Sequence, residues 1–170
     1  MSRKDLDRAM FHYRRSMEIR EAALGPEHED LASSLLNVCS VHRERRQTRE
    51  ALATCERALA IAQKSFGPDH PRTLEAIELT APVRAASGRP AQAIADLERV
   101  HAALGKSEAP PDRIAAAELA LADLLWRRGD RARARALAGA AQQRLAGGGT
   151  AVAELRRDVD RWLRAHGARR

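Results

Sequence analysis

Two cysteines, six histidines and a run of three glycines are the residues whose chemistry would be sharpest if their spacing allowed it. Cys39 and Cys55 are too few for a disulfide framework or a four-cysteine zinc site, and they read as reduced, small thiols filling tight space between partner helices, with a redox pair as the alternative. The histidines are scattered: no His-x3-His pair occurs, and none has a cysteine or carboxylate at metal-ligand spacing, so no metal site is expected. His28 and His70 stand in equivalent turns, which predicts a repeated role such as bonding free helix-end groups. No serine lies in a Gly-x-Ser-x-Gly turn, and "GGG" at 147–149 follows a helical stretch rather than a strand, so it reads as a linker and not a phosphate cradle. Paired carboxylates fall on helix faces one turn from arginines. No catalytic constellation and no cofactor site is expected, and the chain is not expected to be an enzyme.

The elements that would position these residues follow from a recurrence. "LGPEHEDLA" from Leu24 returns 42 residues later as "FGPDHPRTL" from Phe66. At that shift Ala9, Ala51 and Ala93 fall in register, as do Tyr13, Cys55 and Leu97; a shift of 41 adds Ala134 and Ala138. Leu35 matches Ile77, the small residues Cys39, Ala81 and Ala122 align, and Arg46, Gly88 and Gly129 share one turn position. Each unit therefore reads as two helices with a small residue on each where they approach closely. Abundant Ala, Leu, Arg and Glu and few β-branched residues favour helices, while aromatics at 3% require a core of small volume and close spacing. Turn signals divide the chain into about eight helices, near 3–23, 30–45, 48–65, 72–87, 90–104, 113–128, 131–146 and 151–166. Pro82, inside the helical "TLEAIELTAPVRAAS", is expected to kink its helix as a packing accommodation.

The pattern Leu35-x3-Cys39…Ala51-x3-Cys55-x2-Ala58, repeated as Ile77-x3-Ala81…Ala93-x3-Leu97-x2-Val100, resembles the tetratricopeptide repeat. The 42-residue period and the "ALGPEHEDLASSLLN" and "SFGPDHPRTL" turns resemble its kinesin-light-chain-like variety, common in bacteria. The resemblance implies an all-α, right-handed superhelical solenoid of antiparallel helix pairs. Its parts would be a half repeat over 1–25, repeats over 29–66, 71–105 and 112–146, a Gly linker over 147–150, and a capping helix with a basic tail over 151–170. Arg46 in place of the turn Gly, Glu118 in place of an apolar anchor and "KSEAPPD" in the third inter-repeat turn depart from the pattern. The C-terminal "RGDRARARALAGAAQQRLAGGGTAVAELRRDVDRWLRAH" is similar to the C-termini of bacterial serine/threonine protein kinases that carry such repeats, although no kinase motif is present.

In such a solenoid the first helix of each pair lines a concave surface. Projection of the family pattern places Ser33, Leu36, Asn37, Ser40 and Arg43 on it in the first whole unit, Glu75, Glu78 and Leu79 in the second, and Leu119, Asp123, Trp126 and Arg127 in the third. Leu36, Leu79, Leu119 and Trp126 would form an apolar floor for a peptide or helix of a partner protein, with Leu119 and Trp126 as alternative core residues; Asn37 matches the family's polar groove position. The expected function is a non-catalytic protein–protein interaction scaffold. One rival is a substrate-recruiting segment of a bacterial protein kinase. Another is nucleic-acid binding, because the net charge of +7 lies wholly in residues 113–170, with 13 Lys/Arg against 6 Asp/Glu. Arg in place of Lys and so much Ala more simply suggest a GC-rich genome, and Arg156, Arg157, Arg161 and Arg164 read as spread around the last helix. No apolar run is long enough to span a bilayer, and the N-terminus lacks the apolar segment of a signal peptide, so a cytoplasmic protein is expected. Leu6, Met10, Tyr13 and Met17 form an apolar stripe, while the side of that helix around Ala9 and Ser16 is expected to lie uncovered, which predicts either upstream sequence or a homodimer through this helix.

Overall fold

The computed structural model describes residues 3–167. Among these the chain forms eight α-helices and no strand: α1 Arg3–Leu24, α2 Asp30–Glu44, α3 Thr48–Phe66, α4 Pro71–Ala86, α5 Pro90–Lys106, α6 Pro111–Arg128, α7 Arg131–Leu145 and α8 Ala153–His166, the last preceded by a 3-10 turn at Thr150–Val152. Every helix end lies within two residues of its expected place. The fold is all-α, built from antiparallel helix pairs.

The punctuation has a local cause at each boundary. Pro71, Pro90 and Pro111 each open a helix, where the missing amide would have had no intrahelical partner. At three equivalent turns the chain closes a helix with the same backbone bond, from Gln47 to His42, from Arg89 to Arg84 and from Asp130 to Leu125, at 2.9, 2.9 and 3.0 Å. The residue before each donor takes a positive φ: Gly88 at 82°, Gly129 at 96° and Arg46 at 59°. Arg46 is the one non-glycine among the described residues in this conformation, which crowds its Cβ. His28 and His70 fill the helix-end role expected of them. Asp30 N–H donates to His28 Nδ1 and Arg72 N–H to His70 Nδ1, each at 3.2 Å. α4 continues through the exposed Pro82 to Ala86.

The chain divides into two compact units, Met1–Ala93 and Ile94–Arg170, with the division falling inside α5. In the first unit α2 packs on α1, α3 and α4. Ala51, Ala58, Ala76 and Ala81 are almost wholly buried, so backbones come close, and Leu31, Leu35, Leu59 and Ile77 fill the space beside them. Thr73 and Thr80, polar but fully buried, are satisfied locally: the Thr73 hydroxyl lies 2.7 Å from Gly67 O and 3.1 Å from Ala62 O, and Thr80 donates to Ala76 O at 2.6 Å.

Two expectations for this unit need correction. Cys39 and Cys55 are not reduced thiols but one disulfide, joining α2 to α3 across a Cα separation of 5.4 Å. The small-residue positions that let the helices approach also bring the two Cβ atoms within bonding reach, and the bridge packs with Ala51 and Val83 in the core. On α1, Ala9 is not left uncovered; with Tyr13 it packs against Leu6, Met10, Val38 and Val41. The large apolar residues exposed on α1 are instead Phe11, Ile19 and Leu24.

In the second unit α7 packs on α6 and α8. Ala115, Ala122, Ala134, Ala138 and Ala141 have no exposed surface, and Leu97, Leu121, Leu145 and Val159 complete the core. Glu118 occupies an apolar anchor position yet is 1% exposed. It is tolerated because Oε1 meets Arg144 Nε at 2.9 Å and His101 Nε2 at 3.2 Å, tying α5, α6 and α7 together through one carboxylate.

Candidate interaction surface

The first-unit groove residues divide by helical phase. Ser33, Asn37 and Arg43 are exposed and Ser40 half-buried, along one stripe of α2, whereas Leu36 is turned into the core with 7% of its surface exposed. On α4, which touches α2, Glu75 is exposed and Glu78 and Leu79 are half-buried. This face of the unit is therefore polar at its rim, and its only half-covered apolar member among the expected residues is Leu79.

In the second unit an apolar groove of about 530 Å³ runs between α6 and α8. Leu119 and Asp123 line it as expected, together with Ala116 and Ala120 on the same helix. The opposite wall, formed by Leu155, Trp162 and Ala165, belongs to the helix that sequence reasoning treated only as a cap. Its apolar periodicity was legible, but the same periodicity describes a core face, and nothing in one sequence separates the two. Leu119 serves both roles, since it also packs against Ala115, Leu145 and Val159.

Trp126 and Arg127 do not line this groove. The Trp126 ring meets Trp162 edge-on at 5.7 Å and His166 at 4.6 Å, while Arg131 and Arg135 lie over it at 5.4 and 5.3 Å. It is a half-buried knot joining α6, α7 and α8 rather than an open anchor. Arg127 folds back on Asp123 at 2.8 Å, one turn away, so charge at that edge is already paired. Arg156 also departs from expectation: it is turned inward, donating to Leu145 O and Gly148 O at the C-terminal end of α7, while Arg157, Arg161 and Arg164 remain exposed along one side of α8.

Among the described residues no group of three His, Cys, Asp or Glu side chains could hold a metal ion, and no helix is long and apolar enough to cross a membrane. The groove between α6 and α8 offers apolar contact from Leu119, Leu155 and Trp162, with Asp123, Asp158 and Arg161 as its charged lining.

Comparison with known proteins agrees with the architecture. No curated protein matches this sequence. Among solved structures, the nearly identical TPR-like repeats of a Podosopora anserina kinesin light chain-like protein are similar to this chain at a TM-score of 0.76 and 23% identity, covering 96% of this chain and 80% of that one. A single-substitution variant of that protein gives 0.77 at the same identity and coverage. BtubC (BKLC) from P. vanneervenii is similar at 0.76 and 18% identity, over 84% of this chain and 57% of its own length. These likenesses show the fold. Family models described as tetratricopeptide repeat match residues 1–30 and 30–106. Over residues 1–106 the chain accordingly belongs to the tetratricopeptide repeat family.

Proposed function

We propose that this protein is a non-catalytic scaffold that captures a peptide or helix of a partner protein on the faces carried by α2 and α4 in one unit and α6 and α8 in the other. The observation that carries this reading is the groove containing Leu119 and Asp123, whose floor of Leu119, Leu155 and Trp162 is apolar and whose edge charges are internally paired. An apolar side chain entering it would displace water without stripping an unpaired ion, the combination that gives peptide grooves their affinity. Ser33, Asn37, Ser40 and Arg43 would contribute orientation more than energy.

The test is a photo-reactive side chain placed singly at Ala120, at Asn37 and, as a control away from both faces, at Ala60. The reading requires one partner to crosslink at Ala120 and Asn37 and not at Ala60. Crosslinking confined to Ala60, or loss of none of the captured partner on Ala120→Glu, would overturn it.

A further inference from the structure

On the face of α2 opposite Ser33, Asn37 and Ser40, a pocket of about 460 Å³ opens between α1 and α3. Its apolar part is Met17, Leu35 and Val38, and its charged part is Arg14, Glu18 and Arg57. Arg57 is engaged by Glu21 at 2.6 Å and by Pro26 O at 2.8 Å, and Glu18 is 3.5 Å from Arg15. Arg14 has no acidic partner among the described residues, so it is the cation of the pocket that remains to be answered. His42 also belongs to the lining, although only 5% of its surface is exposed. Its Nδ1 is 2.8 Å from Gln47 Oε1, an oxygen that can only accept, so Nδ1 donates, and in the neutral ring Nε2 is an acceptor that no protein donor meets.

A free cation, an acceptor open to the pocket and an apolar floor describe one kind of ligand. We propose that this pocket takes the carboxylate-terminated end of an acylated amino acid with an apolar side chain, the carboxylate meeting Arg14, the amide N–H meeting His42 Nε2 and the side chain lying on Met17, Leu35 and Val38. A charge-assisted bond to the guanidinium orients such a group, and the amide donor takes the place of water on the imidazole nitrogen that faces the pocket. The pocket volume is that of a small-ligand site. This ligand chemistry has two sources, a free acylated amino acid or the C-terminus of a partner chain. The site lies away from the stripe carried by Ser33, Asn37 and Ser40, and it stands or falls independently of binding there.

The test uses the full chain, 15N-labelled, titrated with N-acetyl-leucine and followed by the amide shifts of Val38 and Thr54 and the ring signals of His42. Saturable shifts are expected, with N-acetyl-leucinamide, which lacks the charge, binding about fivefold more weakly. Arg14→Gln should weaken the acid by the same factor and leave the amide unchanged. Glu18→Gln should tighten the acid by removing a repelling charge, and Asn37→Ala should do nothing. A short peptide ending in a free leucine carboxylate separates the sources: binding as tight as N-acetyl-leucine supports a protein C-terminus, and its exclusion supports the free acid. Shifts that fail to saturate near the solubility limit, or equal binding of acid and amide, would overturn the proposal.

Discussion

Arg144 Nε lies 2.9 Å from Oε1 of Glu118, a carboxylate whose side chain is 2% exposed, and this pair is what makes a charge acceptable at an apolar anchor position. Oε2 of the same carboxylate is buried without a partner, so the arrangement is satisfied on one oxygen only. Arg144→Ala is expected to destabilise the second unit by about 2 kcal/mol, less than a fully buried pair because the arginine is half in solvent. Glu118→Leu should be neutral or stabilising, since it removes the buried charge along with its need for a partner. Denaturant unfolding of both variants and of the double variant checks this; an Arg144→Ala cost that persists in the Glu118→Leu background would locate the effect elsewhere.

Arg46 carries a left-handed turn that Gly carries at the two equivalent positions. Replacement by Gly relieves the crowded Cβ while loosening the unfolded chain, for a net gain of about 0.5 kcal/mol, or a Tm rise of about 1–2 °C. Arg46→Val should lose more than 1 kcal/mol, because a branched Cβ fits this conformation worst. Calorimetry distinguishes the signs.

His70 caps α4 through its ring nitrogen and stacks on Phe66 at 4.8 Å. His70→Ala is expected to cost about 1 kcal/mol, and His70→Asp to recover most of it by offering a better acceptor to the same amide. Equal stability of the Ala and Asp variants would assign the role of His70 to the ring stack instead.

The Cys39–Cys55 disulfide closes a loop with a sequence separation of 16, for which chain entropy alone suggests about 3 kcal/mol. Replacing both residues by Ala should lower the unfolding midpoint accordingly, and the native protein should show no reactive thiol until reductant is combined with denaturant, because both sulfurs are buried. Such bonds are rare in a reducing cytosol, so the oxidation state of this pair in cells reports the compartment in which the chain folds.

How far the sequence could be read depended on what repeats. Ala51, Ala93 and Ala134 recur because helix pairs meet at fixed spacing, and the Gly-Pro-acid-His turns recur because each closes one helix and opens the next; both features survive in a single chain as periodicity. The disulfide was illegible for the same reason that the close approach was legible: a small residue is all that the packing position demands, and Cys satisfies that demand with or without a bond. Trp126 was misplaced because its partners, Trp162 and His166, lie on a helix outside the repeat, where the period gives no register. His42 escaped notice because one polar residue on an apolar face reads as filler until its hydrogen-bond partner is seen.

The inward turn of Arg156 changes how the basic end of the chain should meet a polyanion. Arg161 stands 3.1 Å from Asp158, which leaves Arg157 and Arg164 as the cations of α8 with no acidic partner among the described residues. Counterion release scales with the number of phosphates neutralised, so these two cations correspond to a contribution of about −2 to the salt slope from α8, half of what its four arginines would suggest. Within α8, the most deeply placed arginine belongs, thermodynamically, to the polypeptide backbone.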